Sequence, residues 1–297
     1  MPHPALRLIV PLLLASASLA CAATTTKPPA AKPAAPAAPV YKMEVEPRAM
    51  DLLKAMSTRL AAAQSLSFTA VVGYEFPSRL GPPIVYTTRY DVAMQRPDRL
   101  LVLTLGDGPV SEFYYDGKQM IAFAPAEGLA AVADAPPTVE AMLRAAYQNA
   151  AIFFPFTDLL VPDPYAVFAK EAKLAFVVGP SGVVGGTKTD MVVWANNDVF
   201  LQIWIGTEDK LPRRVRAIFR DDPMRLRHDM ELANWQLGQP LAPEKFTSTK
   251  ALAAPRIGFA APKLPPGMKP QLFKNGKPVA APKPAAKAKP AQPTQSK

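Results

Sequence analysis

From residue 65 to residue 235 the apolar side chains return at every second position, segment after segment, with turn residues between the segments. Such alternation is what a half-buried strand requires, because successive side chains point to opposite faces. In 65–76 the even positions Leu66, Phe68, Ala70, Val72, Tyr74 and Phe76 are apolar. In 84–94 Ile84, Tyr86, Tyr90, Val92 and Met94 repeat the theme, while Arg89 and Asp91 take odd positions. Further strands are predicted at 99–105, 112–115, 119–123, 129–132, 174–178, 187–194, 199–205, 213–220 and 225–235. Asp116-Gly117, Glu127-Gly128, Asn196-Asn197-Asp198 and Glu208-Asp209-Lys210 supply turns. The chain is therefore read as mainly β, with an α+β character: a curved antiparallel sheet or incomplete barrel of about 9–11 strands. A sheet that long curls instead of lying flat. One face is expected to be apolar and the other wet.

Two segments break the alternation. In 47–63, Leu52, Leu53, Met56 and Leu60 recur at helical spacing behind Pro47, a residue suited to a first turn. The second break is 137–170. After Pro136-Pro137 a helix is predicted over 138–148. Then comes AIFFPFTDLLVPDPYAVF, rich in apolar side chains but cut by Pro155, Pro162 and Pro164. It can be neither a ladder strand nor one long helix. We read it as short helices and loops that form a lid over the apolar face.

The ends differ from this body. Arg7, the apolar run from Leu8 to Leu14, and small residues to Ala23 make a secretory signal. The run is too short to span a bilayer, which takes roughly 20 apolar residues. The signal is assigned to 1–22, a disordered Ala/Pro linker to 23–43, the folded domain to 44–254 and a disordered Lys/Pro/Ala tail to 255–297. Cys21 is the single cysteine. Two readings of it stand side by side. Ser18-Leu19-Ala20-Cys21 can serve as a lipidation box, although Ser18 replaces the expected Leu. Ala20-Cys21-Ala22 can serve as an ordinary cleavage site that discards the cysteine. Either way the protein is exported, to the periplasm, with Cys21 as the possible anchor.

The charge of +10 arises from 34 basic and 24 acidic residues. Thirteen of the basic residues lie in the two ends, so 21 remain in the body against all 24 acidic ones, a net −3. A body near neutrality argues against a nucleic-acid groove, and no nucleic-acid partner is expected. The basic tail is left as a solubilising segment or a contact for membrane or cell-wall polymers.

Catalytic equipment is not found. His228 is the sole histidine after the signal segment and has no cysteine beside it, so neither a zinc site nor a triad is indicated. The run Gly182 to Thr189 lacks the Gly-Lys step and the following helix of a phosphate loop. Asp163 and Asp221-Asp222 sit among prolines and read as turn residues. The expectation is a non-enzyme with no cofactor and no metal.

Several segments taken in order resemble one family: MDLLKAMSTRLAAAQSLSF (50–68), RPDRL (96–100), FYYDGK (113–118), FTDLLVPDPY (156–165), LQIWIG (201–206) with LPRRV (211–215), and LANWQL (232–237). Together they look like domain-of-unknown-function family 2092, predicted periplasmic proteins, over nearly all of 47–250. That family is similar to the LolA- and LolB-like lipoprotein-carrier folds, whose incomplete barrel is closed by helices around an apolar cavity. The resemblance implies a lipid, acyl chain or acylated protein as partner, and a monomer is expected. The cavity residues expected are Phe68, Val72, Tyr74, Tyr86, Tyr90, Met94, Leu103, Phe153, Phe154, Phe156, Leu160, Trp194 and Phe219. The alternative is an envelope scaffold acting through its basic tail. A void lined by Phe68, Tyr90, Phe154 and Leu160 would favour carriage, and a packed interior would favour scaffolding.

Overall fold

The computed structural model describes residues 44–261, together with two short strands, Phe273–Lys274 and Lys277–Pro278, that pair with each other. The signal segment, Cys21, the linker and most of the tail lie outside the described residues.

The chain enters through helix α1 (Pro47–Ala61), with Pro47 in the first turn, where its missing N–H costs nothing. Ala49, Leu53, Met56 and Leu60 form its buried stripe. A meander follows: β1 (Ser65–Phe76), β2 (Ile84–Gln95), β3 (Arg99–Gly106), β4 (Ser111–Tyr115), β5 (Gln119–Ala124) and β6 (Leu129–Asp134). Next come α2 (Val139–Ala150), α3 (Thr157–Leu160) and α4 (Tyr165–Glu171). A second meander runs through β7 (Leu174–Ser181), β8 (Thr189–Ala195), β9 (Val199–Gly206), β10 (Pro212–Phe219) and β11 (Arg227–Leu237). Helix α5 (Thr249–Ala253) and strand β12 (Arg256–Ile257) complete the body.

All twelve strands form one unclosed sheet in the order β12-β6-β5-β4-β3-β2-β1-β11-β10-β9-β8-β7. Pairing of β1 with β11 joins the two meanders, with Ala70 opposite Leu232 and Val72 opposite Met230. The expected antiparallel architecture is present, and one strand exceeds it. Strand β12 is parallel to β6, with Arg256 opposite Ala130. The folded body thus runs past the boundary drawn at 254. Phe259 packs on the main core, and the Ala261 N–H donates to the Asn149 carbonyl at 3.0 Å, tying this strap to the end of α2.

The concave face carries the main core, with α1 and the lid helices packed into it. The opposite face is not wholly wet, contrary to the alternation. Ile121, Phe123, Ala130 and Ala251 form one small cluster there, and Ala93, Leu101 and Phe246 another. The segment from Leu241 to Ala254 covers them.

One irregularity re-aims a strand. Asn234 has φ 55°, and the β1–β11 register slips between Ser67 and Thr69. This bulge shifts the parity of β11, so that Trp235 follows Leu232 onto the concave face and stacks on Phe68 at 4.5 Å. The free edge at β7 is blunted by its own chain. Glu46 donates its N–H to the Ala175 carbonyl, its carboxylate accepts from the Val177 N–H, and Pro180 presents no donor.

Candidate functional site

The lid is built from its caps inward. Thr138 Oγ1 accepts from the Ala141 N–H and starts α2. Ala151 ends that helix in the left-handed region, at φ 56°. The chain then turns through 151–164, where prolines forbid a longer helix and Phe154 and Phe156 point into the sheet. Phe156 is fully buried. Its ring lies 5.4 Å from Tyr90, 5.5 Å from Phe68 and 5.7 Å from Phe154. Phe154 in turn meets Phe113 at 5.5 Å. Edge and offset contacts of this kind add to burial energy. Burial pushes the Tyr90 phenol up to about 12, so this hydroxyl stays neutral.

Arg96 fastens the lid. Its guanidinium donates to three backbone carbonyls: Ala63 at 3.2 Å, Leu160 at 3.0 Å and Val161 at 3.3 Å. One side chain therefore ties the end of α1 and the lid to the β2–β3 turn. Partial burial lowers its pKa. At the other side Trp194 Nε1 donates to the Phe168 carbonyl at 3.2 Å and holds α4.

Of the residues expected to line a cavity, Phe68, Val72, Tyr90, Met94, Phe154, Phe156, Leu160 and Trp194 come together in one buried cluster, with Tyr74 at its border. The others do not join them. Leu103 pairs with Asp91 and Glu112 and faces the opposite side of the sheet, against the small cluster around Phe246. Phe153 is 66% exposed and touches Tyr147. Tyr86 is 42% exposed. Phe219 sits 5.2 Å from His228 at the rim. Phe68, Tyr90, Phe154 and Leu160, named above as the lining of a void, pack with Phe156 in the buried core. Two clefts lie elsewhere, one of about 400 Å³ beside Gln95 and Gln239 and one of about 270 Å³ between Thr69 and Lys245.

Residues outside the expected cavity set matter here. Phe113 and Trp235 complete the aromatic knot, Arg96 clasps it, and His228 shapes the rim. The parity break at Asn234 was the signal for Trp235, since Asn tolerates a positive φ. Arg96 opens the RPDRL motif, but nothing local marked it as a clasp.

Cover over the concave face is uneven. Along β1 the inward side chains are buried from Leu66 to Val72, then Tyr74 is half-buried and Phe76 exposed. The same gradient runs along β9, from buried Ile205 and Ile203 to half-buried Leu201 and Val199. At this hairpin end Tyr74, Tyr86, His228, Phe219, Leu201 and Val199 leave an apolar, aromatic surface open.

His228 lies between the Tyr74 and Phe219 rings. Desolvation holds its imidazole below the usual 6.5, against the opposing pull of Asp222 and Glu75. Folding thus favours the neutral ring. Its contribution is complete above about pH 6.5 and is lost as pH falls through and below that value. The expected result is a smaller Tm difference between pH 7.5 and pH 5 in His228→Gln than in the parent. Equal differences would show that His228 does not carry this dependence.

Among the described residues no cluster of three or more His, Cys, Asp or Glu could hold a metal ion, and no helix is long and apolar enough to cross a membrane. The fold and site define a class: a curved, unclosed, mainly antiparallel sheet, covered by short helices, with an aromatic concave face open at one end. The chain belongs to the family described as "Predicted periplasmic protein (DUF2092)", which matches residues 49–260. No curated protein sequence matches it. Solved structures similar to it include MucB in its complex with MucA from Pseudomonas aeruginosa, at 16% identity and TM-score 0.40. That alignment covers 69% of this chain and 62% of MucB, so the chain spans less than two thirds of that protein. LprF from Mycobacterium bovis aligns at 15% identity and TM-score 0.40, over 67% of this chain and 96% of LprF. A LolA superfamily protein from Nitrosomonas europaea aligns at 11% identity and TM-score 0.31, over 67% of this chain and 97% of its own.

Proposed function

We propose that this protein is a periplasmic, non-catalytic binder of an acyl chain or other lipid, free or attached to a protein, on its concave face. The observation that carries the reading is the uneven cover: an apolar sheet face, buried under the lid at one end, is left open around Tyr74, Tyr86, Phe219 and Leu201. An acyl chain would first lie on this open end and then displace Phe154 and Phe156 from beneath the lid. Burial of about 15 methylenes is worth roughly 12 kcal/mol at ~0.8 kcal/mol each. Much of that offsets extraction of the chain from a bilayer, and the remainder is set against the cost of opening the lid. The export signal and the family description support the location. Cys21 as a lipid anchor is tested by the intact mass of the mature protein.

Delipidated full-length protein is expected to take up fatty acid, phospholipid or a diacylated peptide, read by native mass spectrometry. Tyr74→Glu is expected to reduce uptake at least about tenfold, by placing a charge where the chain would enter. Absence of uptake from all three ligand classes would overturn the reading. A second reading, an envelope scaffold, is favoured by the packed interior. It expects no lipid uptake, and loss of envelope association on deleting 262–297, a cut that spares β12 and the strap.

A further inference from the structure

The β1–β2 hairpin projects beyond its neighbours. Pairing of β11 with β1 stops at Tyr74, and pairing of β3 with β2 stops at Thr88. Past those points the chain is a two-stranded ribbon closed by the loop from Pro77 to Pro83. One side of this ribbon and its tip are apolar, and the other side carries Val85 opposite the ion-paired Glu75. Leu80 at its end is 92% exposed. Phe76, Ile84 and Tyr86 are exposed on the concave side, and Val85, 60% exposed, faces the other way. No acidic residue occurs from Phe76 to Thr88, and Arg79 is the single charge there.

The loop backbone is unusually dry in its chemistry. Pro77, Pro82 and Pro83 have no N–H to desolvate. The Leu80 N–H donates to Ser78 Oγ at 2.9 Å, and the Gly81 N–H to the Ser78 carbonyl at 3.3 Å. Five of the seven loop residues therefore carry no unpaired backbone donor. Unpaired N–H and C=O groups both keep irregular backbone out of a hydrocarbon phase, so this loop, with few free donors, still needs the hydrated headgroup layer for its carbonyls. The base of the ribbon is anchored: Glu75 accepts from the Arg227 backbone N–H and forms an ion pair with its guanidinium.

We propose that this hairpin inserts into a lipid bilayer, with Leu80 and Ile84 in the acyl region and Arg79 at the headgroup phosphates. A rigid protein partner could cover one face of such a ribbon. Apolar side chains on both faces and at the tip need a fluid that closes around them, and a bilayer supplies it. The single basic charge matches a surface with anionic lipid. This contact stands apart from ligand carriage and would hold even if the concave face bound nothing.

The test uses the full chain in a Cys21→Ser background, with an environment-sensitive fluorophore on Leu80→Cys or, at the opposite end of the sheet, on Lys118→Cys. Vesicles of phosphatidylcholine with a minority of phosphatidylglycerol are added. The position-80 label is expected to shift to the blue and brighten, and the position-118 label to stay unchanged. Unlabelled Leu80→Asp/Ile84→Asp is expected to partition to these vesicles at least about tenfold more weakly, each tenfold being 1.4 kcal/mol. Both side chains are exposed, so the fold is expected to survive, checked by circular dichroism. Vesicle binding without a position-80 response, as binding through the basic tail would give, overturns the proposal. So does a position-80 response that appears without vesicles as protein concentration rises, which would make a second copy the partner.

Discussion

Phe156→Ala is expected to lower the stability of the folded body by about 3–5 kcal/mol, in the range of buried phenylalanine truncations. The ring is fully buried and meets Phe68, Tyr90 and Phe154, so its loss leaves a cavity bounded by three other aromatics. Those neighbours are held by the sheet and by the prolines of the lid, which limits collapse into the gap. For a body of this size the change corresponds to a Tm fall of roughly 6–20 °C. Urea denaturation of the parent and the variant measures it. Phe153→Ala, three residues away and exposed, is expected to change stability by no more than about 0.5 kcal/mol. If the lid yields to an acyl chain, Phe156→Ala should also bind that chain more tightly, because the ring no longer has to be displaced. A large stability loss without tighter binding would place the ligand wholly on the open end.

Arg96→Met is the second large effect. It removes three charge-assisted hydrogen bonds to Ala63, Leu160 and Val161 and leaves their carbonyls unpaired. Such bonds are worth about 1.5–3 kcal/mol each, but the guanidinium is itself partly desolvated. The net loss is expected near 2–4 kcal/mol. Its signature is local: amide exchange in α3 and proteolysis within 151–164 should accelerate before the sheet unfolds. Arg96→Lys keeps the charge but not the fork that reaches three carbonyls at once, and should recover only part of the protection. Hydrogen-exchange mass spectrometry decides between this and a uniform loss across the sheet. A uniform loss would mean that Arg96 supports the whole body and does not specifically hold the lid.

These two residues were not equally visible in the sequence. Phe156 stood in an apolar stretch broken by prolines, and that pattern already required it to lie against something. Arg96 followed a strand and preceded a proline, in a place where an exposed arginine is ordinary. Its partners are main-chain carbonyls 33, 64 and 65 residues away, and carbonyls leave no trace in a sequence. Leu103 shows the opposite failure. It is apolar in an apolar run, and both faces of β3 are covered, so period could not say which side it takes. Trp235 was hidden by a bulge that reverses parity. The strap from Pro255 to Ala261 was masked by proline and alanine, whose composition resembles the tail that follows.

The alternation of 65–235 determined by itself that this chain is a long antiparallel sheet with one dominant apolar face, since side-chain direction along a strand has a period of two whatever the strand pairs with. The prolines of 151–164 likewise determined that the cover would be irregular. Only the tertiary structure decided the order of strands, the meeting of β1 with β11, the burial of Phe154 and Phe156 in the core, and the bare hairpin end. Those depend on contacts between residues far apart in the chain, and such contacts are chosen by packing and loop closure, not by local period.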